Sequence, residues 1–183
     1  IMSSYVKYME ASGARVVPIL YDESKESIDS KLSQLDGILF PGGDGDNYDL
    51  GQYVFEQLKQ YNNKGHFYPA WGTCLGYENM IAYTTPAGLG SWGQFDLHHV
   101  SLPLIWDKEP KETRMYEGLG DRADEFASNN FTYNSLRFGI APSTFETDDH
   151  LKQFWDVTSH SLMPNGTAFV ASIESKDYPF FGT

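Results

Sequence analysis

Short apolar runs alternate with amphipathic helical patterns along the first 83 residues, and this alternation constrains the fold more than any other feature. Apolar runs at 16–20, 37–40 and 67–71 predict buried strands. Apolar residues spaced by three or four positions predict helices before, between and after these strands. The first helix ends at Gly13, and the last runs from Leu75 to Tyr83. Because strands and helices joined by short links form right-handed β–α–β units, we expect an α/β fold with a mostly parallel sheet flanked by helices.

The second half of the chain carries a different pattern. Residues 99–104 and 169–173 alternate between apolar and polar side chains, which is typical of half-buried strands. We expect these strands to be antiparallel additions to the same sheet, so that residues 1–183 form a single domain. The chain opens inside a helical pattern and closes on the strand-like residues 180–183, which predicts a domain that is incomplete at both ends.

Composition excludes several functional classes. The content of 40% hydrophobic and 21% charged residues is that of a globular protein, and 25 acidic against 13 basic residues give a formal net charge of -12. A surface this acidic repels phosphate groups, and no apolar run approaches the roughly 20 residues that span a bilayer. We therefore expect neither nucleic-acid binding nor a membrane span.

The pattern Gly-x-Cys-x-Gly at 72–76 carries the clearest chemical signal, since it lies between a predicted strand and a predicted helix. A nucleophile elbow has this form: a tight turn lifts the central residue above the sheet, and small residues two positions away avoid a clash. The helix N-terminus beside Cys74 would favour the thiolate over the thiol. The sequence therefore predicts Cys74 as a catalytic nucleophile, and the alternative is a buried structural cysteine between turn glycines.

A second pair of glycines follows the predicted strand at 37–40. Gly42 and Gly43 would let a backbone N–H approach a developing oxyanion closely, together with the N–H of Leu75. Many turns after strands contain two glycines, so this signal is weak without the elbow. With the elbow some 30 residues downstream, Gly43 and Leu75 are predicted to form an oxyanion hole.

Several segments together resemble the gamma-glutamyl hydrolase family, a member of the class I glutamine amidotransferase-like superfamily. The dense part of the resemblance consists of SYVKY at 4–8, GARVVP at 13–18, GILFPGG at 37–43 and WGTCLGYE at 71–78. It continues more thinly through 138–142 and 176–182, and therefore spans nearly the whole chain.

The resemblance implies a flavodoxin-like three-layer sandwich that uses no metal and no organic cofactor. The implied enzyme is an omega peptidase that hydrolyses gamma-linked glutamate from a small-molecule substrate, a folyl or antifolyl poly-gamma-glutamate, through a thioester on Cys74. Gly42 and Glu78 would lie against the substrate. For Glu78 the simpler alternative is an acid that the helix dipole favours at a helix N-terminus. A homodimer is considered as well, although no feature of the sequence decides it.

Two departures from the family pattern leave alternatives open. The family's catalytic histidine lies just after the strand that corresponds to 180–183, so we expect these 183 residues to be inactive by themselves and the base to be the third residue after Thr183. Relatives carry cleft histidines in the segment 130–138, where this chain has Leu136 and Arg137. The competing hypotheses are a catalytically inactive homologue serving as a structural or interaction glycoprotein, and the glutaminase domain of a biosynthetic amidotransferase.

Two glycosylation sequons begin at Asn130 and Asn165. Together with the resemblance they predict a protein of the secretory pathway, located in the lysosome or vacuole or outside the cell.

Two other groups of residues could suggest a metal site, and neither is predicted to be one. His98 and His99 are adjacent on a predicted strand, so their side chains would face opposite ways. Asp44, Asp46 and Asp49 do not follow the EF-hand spacing, which needs Gly at its sixth position and Glu at its twelfth.

Overall fold

The computed structural model describes residues 2–45 and 48–183, and it contains a six-stranded mixed sheet and a separate two-stranded ribbon. The strands are β1 (Ile38–Phe40), β2 (Ala70–Gly72), β3 (Gly93–Leu102), β4 (Ile105–Trp106), β5 (Thr132–Gly139), β6 (Trp155–Leu162), β7 (Ala168–Ser175) and β8 (Phe180–Gly182). The α-helices are α1 (Ser3–Ala11), α2 (Lys25–Leu32), α3 (Tyr48–Asn63), α4 (Leu75–Ala82), α5 (Ala123–Ser128), α6 (Pro142–Thr147) and α7 (Asp149–Phe154). Short 3₁₀ helices cover Gly88–Ser91, Pro110–Glu112 and Glu117–Arg122. Within the described ranges, no helix has the length and apolar character needed to cross a membrane.

The order of the main sheet is β1-β2-β8-β7-β6-β4. Strands β1, β2 and β8 are parallel, and β7, β6 and β4 continue the sheet in antiparallel fashion. The core around the parallel half includes the buried side chains of Phe40, Phe55, Met80 and Phe180. The predicted α/β fold with antiparallel additions is therefore confirmed, and its antiparallel half is as large as its parallel half.

The ribbon of β3 and β5 lies apart from the main sheet in its hydrogen bonding. Its inward side chains Phe95 and Leu97 form a small second core with Phe169 of β7. Since β5 pairs with β3, this contact holds the whole ribbon against the main sheet. It therefore also determines where the side chains on the other face of β5 lie.

The run at 16–20, predicted as a strand, has no strand partner among the described residues and no regular secondary structure. Val17 and Leu20 are 47% and 52% exposed, so apolar character alone did not bury this run. An apolar groove, lined in part by Val16 and Ile38, runs along the edge of β1 on this side of the sheet. The strand prediction was wrong because a strand requires hydrogen-bond partners as well as an apolar sequence.

The regular alternation on which the prediction for His98 and His99 depended is interrupted in the structure. Strand β3 carries register shifts in its pairing with β5, and Asp96 and His99 have positive φ angles of 44° and 53°. These bulges interrupt the two-residue alternation, so both histidines are exposed. No group of three or more metal-ligating side chains occurs in the part of the chain that the structure describes. Asp46, which belongs to the other rejected metal pattern, lies outside the described residues.

Candidate active site

Cys74 lies on the tight turn between β2 and α4, with φ 54° and ψ -119°. The glycines on either side are sterically required. A Cβ on Gly76 would overlap the carbonyl of Phe40, and a Cβ on Gly72 would lie 2.6 Å from the sulfur of Met80. The structure therefore has the elbow geometry that the Gly-x-Cys-x-Gly pattern predicted.

The end of β8 lies directly beside this elbow. The N–H of Cys74 donates to the carbonyl of Thr183 over 2.9 Å, and the N–H of Thr183 donates to the carbonyl of Gly72, also over 2.9 Å. The prediction that residues 180–183 form the strand next to the elbow strand is confirmed by the parallel pairing of β2 with β8.

Gly42 and Gly43 bring a second backbone segment to Cys74. A Cβ on Gly42 would lie 2.8 Å from the Cβ of Cys74, so only glycine permits this approach. Gly43 has φ 130°, a conformation that L side chains rarely adopt. The backbone N–H groups of Gly43 and Leu75 act to lower the pKa of the Cys74 thiol, and both residues line the cleft beside Cys74. The oxyanion hole predicted at these two residues stays a prediction.

The electrostatic environment of Cys74 differs from the sequence-based expectation. Burial raises the pKa of the Cys74 thiol, and the negative charge of Glu78 raises it further. The N–H groups of Leu75 and Gly43 act in the opposite direction, but they do not outweigh burial. The expectation that the helix N-terminus would favour the thiolate was wrong, because burial disfavours charge more than these donors stabilise it.

Glu78 is a buried carboxyl on the first turn of α4, only 5% exposed. Burial raises its pKa to about 7. The N–H of the Trp92 ring donates to the backbone carbonyl of Glu78 over 3.0 Å, and so joins α4 to the loop before β3. Glu78 lies both in the first turn of α4 and in the cleft beside Cys74, so the substrate-binding role and the simpler alternative of an acid at a helix N-terminus both stay open.

A cleft of about 470 Å³ surrounds the elbow. It brings together four of the five predicted catalytic and substrate-binding residues, namely Cys74, Gly43, Leu75 and Glu78, while Gly42 packs behind Cys74. No histidine in the described ranges lines this cleft. His150 lines a different depression, which it shares with Thr85 and Asp148.

Strand β5 forms the opposite wall of the cleft. Ser135, Arg137 and Phe138 line it, whereas Leu136 packs into the second core with Phe95 and Leu97. Sequence reasoning treated Leu136 and Arg137 together as replacements for cleft histidines and did not recognise Arg137 as a cleft residue. The two-residue alternation along β5 was the signal that could have separated them.

Both sequon asparagines are exposed. Asn130 lies between α5 and β5, and Asn165 lies in the turn between β6 and β7. The side-chain oxygen of Asn165 accepts a hydrogen bond from the N–H of Thr167 over 3.0 Å.

These features define a class of protein: an α/β domain with a cysteine on a strand–turn–helix elbow. The chain is structurally similar to the glutaminase domain of a Trypanosoma brucei CTPS with bound acivicin, with a TM-score of 0.68 over 99% of this chain and 78% of that chain. The sequence identity is 14%, so this likeness shows the fold alone. No protein-family model matches the chain.

The sequence is also similar to those of several curated proteins. The chain is 35% identical to gamma-glutamyl hydrolase B of Dictyostelium discoideum, over 99% of this chain and 54% of the relative. It is 30% identical to gamma-glutamyl hydrolase of Rattus norvegicus, over 99% of this chain and 58% of the relative. It is 27% identical to gamma-glutamyl hydrolase 1 of Arabidopsis thaliana, over 100% of this chain and 53% of the relative. The chain is therefore a homologue of the gamma-glutamyl hydrolases, as its motifs predicted, and it spans just over half the length of these relatives.

Proposed function

We propose that the protein is a cysteine hydrolase that cleaves gamma-glutamyl bonds in folyl and antifolyl poly-gamma-glutamates. The observation that carries this proposal is a cysteine held at an elbow, beside Gly43 and Leu75 in a cleft, in a homologue of proteins named gamma-glutamyl hydrolase. The cleft around that cysteine is large enough to receive an extended side chain.

The reaction would proceed in two acyl-transfer steps. A base takes the proton of the Cys74 thiol, and the thiolate attacks the gamma-carbonyl carbon while the N–H groups of Gly43 and Leu75 stabilise the oxyanion. The carbon–nitrogen bond then breaks, the leaving amine receives the proton, and a thioester remains on Cys74. Water attacks the thioester, releases the gamma-carboxylate of the acyl product and restores the thiol.

The raised pKa of Cys74 makes a base necessary for the first step. We propose that a histidine beyond Thr183, expected at the third residue after it, is this base. Support comes from Thr183 at the end of β8, which hydrogen-bonds to the backbone of the elbow, so that a residue shortly after it would start beside Cys74. On this proposal the 183 residues alone turn over little or no substrate.

Cys74→Ala in the full-length protein is expected to abolish release of glutamate from pteroyl-tri-gamma-glutamate, because alanine cannot form the thioester. Chromatography of the products measures this release. The matched control is Ser143→Ala, which changes an exposed residue of α6 outside the cleft and is expected to leave the rate unchanged. Retention of wild-type hydrolysis by Cys74→Ala would contradict the cysteine mechanism.

A catalytically inactive homologue is the second candidate, and the raised pKa of Cys74 is the observation that favours it. The two candidates differ in the residue that follows β8 and in turnover. If the full-length protein has a histidine there and cleaves the triglutamate, the inactive alternative is excluded. If it has none and cleaves nothing, the inactive alternative replaces our proposal.

We further propose that the protein enters the secretory pathway and is located in the lysosome or vacuole or outside the cell. The exposure of both Asn130 and Asn165 supports this proposal, because an oligosaccharide must be attached to an accessible asparagine.

A further inference from the structure

The charge balance of the cleft is unfavourable for the proposed substrate. Every glutamate in a gamma-linked chain keeps a free α-carboxylate, so the substrate is a polyanion. The protein carries a formal net charge of -12, and Asp44 and Glu78 line the cleft beside Cys74. Of the described residues that line this cleft, Arg137 alone carries a permanent positive charge.

The position of Arg137 follows from the way β5 is held. Leu136, its neighbour in sequence, pairs with Leu97 of β3 and packs into the second core. Because side chains alternate along a strand, packing of the half-buried Leu136 against the second core presents Arg137 to the cleft. This placement depends on apolar contacts of a strand rather than on a loop.

Arg137 lies against an aromatic pair, Phe138 and Trp92. The guanidinium carbon of Arg137 lies 5.7 Å from the centre of the Phe138 ring, within the range of a cation–π contact. The Phe138 ring in turn lies 5.8 Å from the ring of Trp92, which bonds to the carbonyl of Glu78. Arg137 is thereby connected to α4, the helix that begins directly after Cys74.

Arg137 is also available to a ligand. Over the ranges 2–45 and 48–183, the ion pairs within 4.0 Å involve other cations, and none involves Arg137. A guanidinium group presents donors in a planar fork that matches the two oxygens of a carboxylate.

We propose that Arg137 binds the free α-carboxylate of a glutamate next to the scissile gamma-amide. This inference rests on the proposed function and names the group of the substrate that the cleft recognises. A residue with one carboxyl group uses that group in the amide bond, so it offers no carboxylate at this distance from the reacting carbonyl. Arg137 would therefore select a glutamate with a free second carboxylate over a neutral residue.

The test uses the full-length protein and the variants Arg137→Gln and Arg137→Lys. With pteroyl-di-gamma-glutamate, Arg137→Gln is expected to raise KM by about 10- to 100-fold, the worth of a charge-assisted hydrogen-bonded pair, while kcat changes by less than about twofold. Arg137→Lys is expected to recover part of this loss, because it keeps the charge without the fork. The matched control is Arg122→Gln, which removes the same charge from an exposed side chain outside the cleft and is expected to leave KM unchanged.

Two substrate analogues identify the carboxylate that is bound. One has an α-carboxamide on the glutamate that supplies the reacting carbonyl, and the other has it on the leaving glutamate. The analogue that lacks the recognised carboxylate is expected to bind the wild type weakly and to be insensitive to Arg137→Gln. If Arg137→Gln raises KM equally for all three substrates, or for none, the inference is overturned.

Failure of the inference and failure of the proposed function have different signatures. Normal hydrolysis by Arg137→Gln with an unchanged KM would overturn the inference and leave the proposed function intact. If the wild type hydrolyses none of these substrates, the proposed function fails. Calorimetric titration of Cys74→Ala with gamma-glutamylglutamate then still tests the inference: affinity that falls on adding Arg137→Gln supports it, and undetectable or unaltered affinity overturns it.

Discussion

At the scale of single residues, the half-buried Cys74 and the buried Glu78 both lie in surroundings that disfavour their ionisation. Burial raises the pKa of both, and a charged Glu78 raises the pKa of Cys74 further. The protonation of Glu78 therefore controls how readily the thiolate forms. A substrate or base that neutralises Glu78 would make Cys74 more nucleophilic.

Reaction of Cys74 with iodoacetamide tests this coupling. Because the pKa of the thiol is raised, we expect alkylation at pH 7 to be slower than that of an unperturbed peptide thiol and to rise through pH 9 and above. Glu78→Gln removes a negative charge and is expected to shift the whole rate profile to lower pH. Mass spectrometry of labelled protein measures the rates, with Glu117→Gln, an exposed acid outside the cleft, as control. Faster labelling of the wild type than of a free peptide thiol would contradict the raised pKa.

The raised pKa of Glu78 also affects the free energy of unfolding. In the unfolded chain a glutamate ionises near pH 4.3, roughly, whereas in the folded protein the pKa is about 7. The folded state binds more protons between these values, so stability falls as the pH rises through this window. Glu78→Gln is expected to increase the free energy of unfolding at pH 8 by on the order of 2 kcal/mol, and to have little effect at pH 4. Urea unfolding at both pH values measures this, and an equal effect at the two values would exclude ionisation as its cause.

At the scale of secondary-structure elements, the elbow depends on close packing between β1 and α4. Gly76, on the first turn of α4, lies so near the carbonyl of Phe40 in β1 that a Cβ would overlap it. This contact holds the start of α4, and with it the turn that carries Cys74, against β1. It also explains why the second glycine of the pattern is as necessary as the first.

Gly76→Ala is expected to lower the free energy of unfolding by about 1–3 kcal/mol or more, since the overlapping atom belongs to the backbone and cannot move aside. Gly118→Ala is the matched control, because a Cβ there meets no atom within 4 Å. Chemical unfolding of the two variants compares them. Similar stability of Gly76→Ala and Gly118→Ala would show that the strand and helix can separate without cost.

At the scale of the whole molecule, the sequence places one sequon at each of two distant surface sites. Asn130 follows α5, and Asn165 lies in the turn that joins β6 to β7. Neither residue lines the cleft around Cys74. Glycosylation at either position would therefore not modify a residue of the proposed active site.

Protein purified from its native source is expected to carry a glycan on Asn130 or Asn165 or on both, because the proposed route passes through the secretory pathway. Mass spectrometry before and after enzymatic deglycosylation detects the conversion of the modified asparagine to aspartate. Unmodified asparagine at both positions would count against the proposed location. It would favour the glutaminase domain of an amidotransferase among the hypotheses that the sequence left open.

The sequence by itself determined the features that depend on neighbouring residues. The glycines at 72 and 76 and the position of Cys74 between a strand and a helix follow from local steric limits, and the structure has them as predicted. Helical spacing located α3 and α4 correctly, since the apolar face of a helix repeats within the helix itself. Motifs spread over nearly the whole chain also predicted its similarity to the gamma-glutamyl hydrolases.

Only the tertiary structure decided the features that depend on distant residues. The run at 16–20 is no strand because a strand needs a partner from elsewhere in the chain, and no local pattern reports one. The pKa of Cys74 is raised because burial outweighs the helix N-terminus, and burial is a property of the packed domain. Arg137 reaches the cleft because the half-buried Leu136 packs against residues of β3 and β7, which lie more than 30 residues away along the chain on either side.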